Sequence, residues 1–336
     1  MACLWAGPSA AENLRIATYH AELSRDGPGL LLRDILRSDP QVEAAARVIA
    51  FADPDVLVLL GIDYDHDLAA LAAFADRVTA AGAVYPHRFA LRPNTGRATG
   101  LDMDGDGRLG GPRDAQGYGR FAGEGGMAVL SRHPIDAAGV RDFSGLLWRD
   151  LPGAILPDGM SAEIQDVQRL STTGHWDVPI QLAGVGTLRL LAWHATPPVF
   201  DGPEDRNGRR NHDEVALWLR LLDGTLPAAP PPPPFVLLGD ANMDPSRSEG
   251  RPDAMRLLLA HPGLQDPRPT GAGGLATADF PEPGGPGRMR ADYVLPSAGL
   301  TVTAAGVVWP EDGDPLLAVV QAASRHRLVW VDIQTD

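Results

Sequence analysis

An α/β fold in one large domain is what this sequence predicts, on three observations. Residues 14–19 form a short β-type run, residues 55–60 (Asp-Val-Leu-Val-Leu-Leu) form a continuous apolar run, and a capped helix lies between them. The 336 residues are 44% hydrophobic, with charges of both signs spread along the chain, so the sequence can bury a core and is not of the disordered class. No internal repeat or shift of composition divides it, so residues 12–336 read as one domain although the length alone allows two.

The first eleven residues, Met-Ala-Cys-Leu-Trp-Ala-Gly-Pro-Ser-Ala-Ala, are apolar or small and end in an Ala-rich run. They read as the tail of a secretory signal peptide that lacks its charged start, which predicts a secreted or periplasmic protein; a disordered extension is the alternative. Cys3, the only cysteine, falls in this segment, so an internal disulfide and redox chemistry are excluded. After the strand at 14–19, Asp39 supplies a helix N-cap and Pro40 the first helical position, and Val42, Ala45, Ala46, Ile49 and Ala50 keep helical spacing. The run at 55–60 is apolar at every position, as a strand covered on both faces requires. A second helix at 67–81 closes on Gly82, a residue suited to a left-handed C-terminal cap. Further strands are predicted at 126–130, 176–181, 187–193, 235–238, 291–295 and 328–332, and a helix at 207–222. Two long stretches rich in Gly, Asp and Arg, 92–125 and 143–173, show neither period; loops of that length are usually functional or disordered. Prolines 230–234 form a stiff spacer into the strand at Phe235.

All 29 cationic residues are Arg. The absence of Lys excludes Schiff-base chemistry and a P-loop lysine. A net charge of −14 argues against holding long duplex DNA by general phosphate neutralisation. No stretch approaches the roughly 20 apolar residues that a membrane span needs.

The strongest chemical signal is Leu237-Leu238-Gly239-Asp240-Ala241-Asn242-Met243-Asp244-Pro245. A buried strand ends in glycine, and Asp240 and Asn242, two apart, can share a cleft at its carboxyl end. A carboxylate beside a carboxamide offers a base for water and a donor for a developing oxyanion. By spacing alone the segment is also an ordinary polar turn. His194 follows directly on an apolar run, Asp292 opens the run Asp292-Tyr293-Val294-Leu295, and His326 stands just before the last strand. Taken together these form a hydrolytic constellation in which an Asp can orient a His.

The order of these motifs resembles the endonuclease/exonuclease/phosphatase superfamily, which includes deoxyribonucleases and other nucleases, sphingomyelinases and inositol-phosphate phosphatases. The resemblance runs from Arg15-Ile16-Ala17-Thr18-Tyr19-His20 to Ser324-Arg325-His326. It is most specific at Gly239-Asp240-Ala241-Asn242, at Arg290-Ala291-Asp292-Tyr293-Val294 and at Gly126-Met127-Ala128-Val129-Leu130-Ser131-Arg132-His133-Pro134-Ile135. It implies a four-layer α/β sandwich, two packed mixed β-sheets flanked by helices, that hydrolyses a phosphate ester with a divalent cation. Residue by residue, it implies that Asp240 aligns the attacking water and Asn242 contacts phosphoryl oxygens. His194 would bind the scissile phosphate, and His326 would be a catalytic histidine held by Asp292. Tyr118 is similar to a family tyrosine that touches the phosphate, and Asn207 or Arg210 would meet substrate at the rim.

Three positions depart from the family pattern. His20 stands where an Asn is usual, Gly61 and Ile62 stand where a Gln-Glu pair supplies the metal-holding Glu, and Arg325 stands where an Asp is usual. Three readings stay open. A cation (Mn²⁺, Zn²⁺ or Mg²⁺) is held by His20 with Asp63 or Asp65, imidazole favouring a transition metal. Alternatively, the Arg325 guanidinium stabilises the phosphoryl charge without metal. The third reading is an inactive binding module that keeps the phosphate site. Separately, Asp102-Met103-Asp104-Gly105-Asp106-Gly107 reproduces the start of a calcium loop, with Arg113 in place of its last ligand, and predicts a structural Ca²⁺. The expected substrate is a small organic phosphate or lipid head group, monoester or diester, with nucleic acid less favoured, and the expected state is a monomer.

Overall fold

The computed structural model describes residues 12–247, 250–281 and 283–335, and in it the predicted strand–helix–strand start opens a large sheet. The signal-peptide-like residues 1–11, with Cys3, lie outside the described residues. Strand β1 (Glu12–Leu23) runs beyond its predicted end because it has a partner on each side. Helix α1 (Leu30–Leu36) follows Gly29 without a side-chain cap, which is why no capping signal announces it. Helix α2 (Pro40–Ala52) opens as expected, the Asp39 carboxylate accepting the N–H groups of Gln41 and Val42. Strand β2 (Val56–Ile62), helix α3 (Ala69–Ala81), capped by Gly82, and strands β3 (His87–Phe89) and β4 (Gly126–Ser131) complete the first half.

The second half begins with β5 (Arg141–Asp142), the short α4 (Ala162–Gln165), β6 (Gly174–Leu182) and β7 (Gly186–His194). It continues through α5 (Arg206–Leu222), β8 (Phe235–Asp240), α6 (Asp253–Leu259), β9 (Ala278–Phe280) and β10 (Gly287–Met289). Strand β11 (Asp292–Pro296), β12 (Thr301–Val307), α7 (Pro315–Ala323) and β13 (Val329–Thr335) close the chain.

A six-stranded sheet has the order β12-β13-β1-β2-β4-β3, and a five-stranded sheet the order β11-β8-β7-β6-β5; β9 and β10 form a separate ribbon. Both large sheets are mixed, with β1–β2 and β7–β8 parallel and the other pairs antiparallel. Strand alternation explains the layering. In β2, Val56, Val58 and Leu60 face the second sheet and pack with Val178, Leu190, Val236 and Leu238, whereas Leu57 and Leu59 face helices with Ile49, Phe74 and Val320. On the outer face of the second sheet, Leu191, Trp193 and Leu237 pack against Trp218, Leu221, Met255 and Leu258 of α5 and α6. Helices, sheet, sheet and helices therefore make the four-layer α/β sandwich. Truncating a central residue such as Leu190 to Ala would cost about 2–5 kcal/mol.

The two long stretches without periodicity are tied to each other by side-chain bonds to backbone. Asn94 Nδ2 donates to the carbonyls of Ser144 and Ser171, and Gln168 Nε2 donates to that of Gln116. No helix among the described residues is long and apolar enough to cross a membrane.

Candidate active site

Strand register assembles the site. Parallel pairing sets His194, the last residue of β7, beside Asp240, the last of β8, and antiparallel pairing sets Asp292, the first of β11, against the same Asp240. Gly239 makes that approach feasible: at φ 148° its missing Cβ would stand 2.0 Å from the Trp193 carbonyl oxygen. From the other sheet β1 contributes His20, after which the register of β1 on β2 shifts. A bulge of that kind re-aims side chains.

The Asp240 carboxylate is fully buried, and its Oδ2 is the hub of the site. It lies 2.9 Å from His20 Nδ1, 3.7 Å from His194 Nε2 and 3.9 Å from His326 Nδ1. The His20 ring is 4.7 Å from that of His194 and 4.3 Å from that of His326. The other oxygen, Oδ1, accepts the backbone N–H of Asn242 at 2.7 Å, and Asn242 Nδ2 donates to the Ala195 carbonyl at 2.9 Å. One amide hydrogen of Asn242 is left for a ligand. His326 is held from behind by Asp292 Oδ2 at 2.9 Å, which also accepts the Thr277 hydroxyl. Neither nitrogen of His194 has a hydrogen-bond partner among the described residues: Nδ1 is buried and unpaired, and Nε2 is too far from Asp240.

Burial and charge oppose each other here. Burial pulls the His326 imidazole down, but the carboxylates of Asp292 and Asp240 outweigh it and hold it up to about 9, so it is an imidazolium at neutral pH. Burial raises Asp240, yet the His326 charge and the hydrogen bond with His20 hold it below the usual carboxylate range. Asp292 is raised by burial. Burial, reinforced by His20, pushes His194 down to about 3 and keeps it neutral. The pocket thus combines a buried carboxylate, the imidazolium of His326 and the neutral imidazole of His194, a set able to orient water and to neutralise a phosphoryl group.

The geometry does not bring Asp63 or Asp65 to His20. Asp63 spends its oxygens on Ser24 Oγ and on the N–H groups of Arg25 and Gly125, and Asp65 accepts the N–H groups of Ala69 and Ala70 at the start of α3. Neither gathers with His20. Ile62 offers no donor atom, and the guanidinium of Arg325 is paired with Glu22, whose carboxylate also accepts the Arg325 N–H. Ile62 and Arg325 therefore do not fit a cation, whereas His20, His194 and Asp240 bring three donor atoms within 4.8 Å of one another. The Arg325 guanidinium, expected at the phosphoryl group, is paired with Glu22 in this structure. Glu22, absent from the sequence reading, lies two residues beyond His20 in the irregular end of β1, at φ 50°. Thr277, also unforeseen, carries no motif.

The remaining expected residues lie elsewhere. Asp102, Asp104 and Asp106 bring their carboxylates together in an exposed turn, where Asp102 accepts the N–H groups of Gly105, Asp106 and Gly107. Tyr118, Asn207 and Arg210 share the wall of a cavity of about 740 Å³, together with Thr196, two residues past His194. The histidine cluster is not part of that wall. Arg210 is engaged inward, with its guanidinium donating to the carbonyls of Gln116, Arg169, Leu170 and Ser171, while Tyr118 is exposed.

The model of the endonuclease/exonuclease/phosphatase family matches residues 23–326. Similar solved structures include an endonuclease/exonuclease/phosphatase from Beutenbergia cavernae, 22% identical with a TM-score of 0.56 over 96% of this chain and 72% of that chain. A family protein from Bacteroides thetaiotaomicron is 14% identical with a TM-score of 0.56, covering 98% and 100%. Sphingomyelinase C from Streptomyces griseocarneus is 21% identical with a TM-score of 0.52, covering 96% and 99%. At these identities the likeness is one of fold. No curated protein matches the chain.

Proposed function

This chain belongs to the endonuclease/exonuclease/phosphatase family, whose members hydrolyse phosphoester bonds, and we propose that it cleaves a small organic phosphoester at the Asp240–His326 cluster. The observation that carries the reading is the buried Asp240 carboxylate ringed by His20, His194 and His326, with His326 fixed by Asp292. Asp240 holds the water in line with phosphorus. His326, its Nδ1 taken by Asp292, presents Nε2–H to a phosphoryl oxygen and lowers the cost of the negative charge that builds there. The free amide hydrogen of Asn242 adds a second donor. His20, His194 and Asp240 could hold a divalent cation, which would supply further positive charge at those oxygens.

The adjoining cavity, about 740 Å³, has the size of a small-molecule site, and the net charge of −14 disfavours a polyanionic polymer. A free organic phosphate or a lipid head group suits both features. The apolar, Ala-ended opening supports export, which cell fractionation with an antibody to the chain would test. A second reading, a non-catalytic module of the same fold, is favoured by one observation: the usual cation positions hold Ile62 and an Arg325 already paired with Glu22. Assay of p-nitrophenyl phosphate, bis(p-nitrophenyl) phosphate and phosphocholine esters, with and without chelator, separates the two. Turnover supports hydrolysis, and ligand binding without turnover supports the module.

A further inference from the structure

We propose that His20, His194 and Asp240 form a site for one borderline-soft divalent ion of the Zn²⁺ class, a site that discriminates against Mg²⁺. It rests on the hydrolytic reading only in placing the ion where that chemistry would use it.

One ring nitrogen each of His20 and His194 and one oxygen of Asp240 lie within 4.8 Å of one another, and an ion would take the place of the hydrogen bond that now joins His20 Nδ1 to Asp240 Oδ2. Ligands about 2.0–2.2 Å from a tetrahedral ion stand roughly 3.3 Å apart. The observed separations from Oδ2, 2.9 Å and 3.7 Å, bracket that value. The second observation is His194 itself, an imidazole with no hydrogen-bond partner among the described residues, whose Nε2 is aimed at the carboxylate. Its Nε2 spends no hydrogen bond on the protein and so is open to a ligand.

The surroundings delimit the donor set. His326 Nδ1 is taken by Asp292, which keeps that ring for substrate. Asp240 Oδ1 is fixed by the Asn242 N–H, which orients the ligating oxygen. Arg325 carries a charge that would repel a cation, but Glu22 pairs with it. Three protein ligands, two of them imidazole, leave an open position and favour Zn²⁺ or Co²⁺ over Mg²⁺, which demands oxygen ligands and retains its waters. The exposed Asp102, Asp104 and Asp106 group is all-oxygen and belongs to a different class of ion.

The test is calorimetric titration of the metal-stripped full chain with Zn²⁺ and separately with Mg²⁺, together with the visible spectrum of the Co²⁺ form. The expected result is one Zn²⁺ per chain, bound at least about a hundredfold more tightly than Mg²⁺. His20→Asn and His194→Asn should each weaken it by at least about tenfold, and the double change Asp104→Asn, Asp106→Asn should leave it unaltered. Equal affinities for the two metals, or Zn²⁺ binding indifferent to His20→Asn, would overturn the site. If a variant fails to fold, the Co²⁺ spectrum of the unaltered chain decides: an intense visible band of four-coordinate, nitrogen-containing ligation supports the site, and a weak octahedral band rejects it. Turnover of bis(p-nitrophenyl) phosphate by the same stripped protein separates the two claims. Turnover without Zn²⁺ binding removes only the metal site, and Zn²⁺ binding without turnover removes only the hydrolytic reading.

Discussion

Gly61 has φ +71°, and a Cβ there would come within 2.6 Å of the His20 ring, so the residue beside the site is glycine for both backbone and space. Gly61→Ala is expected to cost about 1–3 kcal/mol and, by displacing His20, to lower turnover by roughly ten- to a hundredfold; urea unfolding and steady-state rates check the two effects separately. Arg325 gives the opposite expectation. Its guanidinium is half-exposed and bound to Glu22, so Arg325→Ala should reduce kcat/KM by less than about tenfold, and a loss of a hundredfold or more would reinstate it as the charge stabiliser. Asp240, Asn242, His194, Asp292 and His326 were singled out because each stands beside one terminus of an apolar run. Glu22 was not, because the apolar run stops at Tyr19 and nothing local shows that β1 continues past it.

Helix α5 organises the loops around the site. Its buried Glu214 accepts the N–H of Thr172 at 2.5 Å and that of Thr196 at 2.7 Å, joining the loop before β6 to the one after β7. Burial raises this carboxyl to about 7 even though Arg210 opposes the shift. Glu214→Ala leaves two buried N–H groups without their acceptor and should destabilise the protein by on the order of 3 kcal/mol, read from a denaturant midpoint. On β6, His175 is buried between Ser171 Oγ and the Glu214 carbonyl, and burial pushes it down to about 4. Its folded-state value lies below its unfolded one, so the unfolded chain binds the extra proton between about pH 6.5 and 4. Stability tied to His175 is therefore complete above pH 6.5 and lost as pH falls toward 4, by about 3 kcal/mol in all. Comparing melting temperatures at pH 7.5 and 5 for the unaltered chain and His175→Gln checks this, since the variant should lose less on acidification. An equal loss in both would show that His175 does not set the acid limit. Among the elements, α7 opens on Asp314 and Pro315 as α2 does on Asp39 and Pro40, a signal that the sequence reading passed over. Strand β12 was not readable: Thr301–Val307 is largely exposed, and its pairing with β13 comes from the chain's other elements.

At the scale of the molecule, alternation along a strand states that two faces are buried but not which layer covers each, so the four-layer order followed from the motif resemblance and not from periodicity. The same holds for the site. His20 and Asp240 are 220 residues apart and come from different sheets, and only sheet packing reveals that their side chains meet. The motifs pointed to the members of the cluster, but the partner of His20 had to come from the fold, which substitutes His194 and Asp240 for Asp63 or Asp65. The central claim is that this cluster performs phosphoester hydrolysis, and one measurement tests it most directly: turnover of bis(p-nitrophenyl) phosphate by the purified chain and by Asp240→Asn, with Zn²⁺, Mn²⁺ and Mg²⁺ each supplied. The account predicts turnover by the unaltered chain that falls at least about a hundredfold in Asp240→Asn while the melting temperature stays within a few degrees. Equal rates in the two proteins, or no turnover by the unaltered chain with any of the three metals, would contradict it.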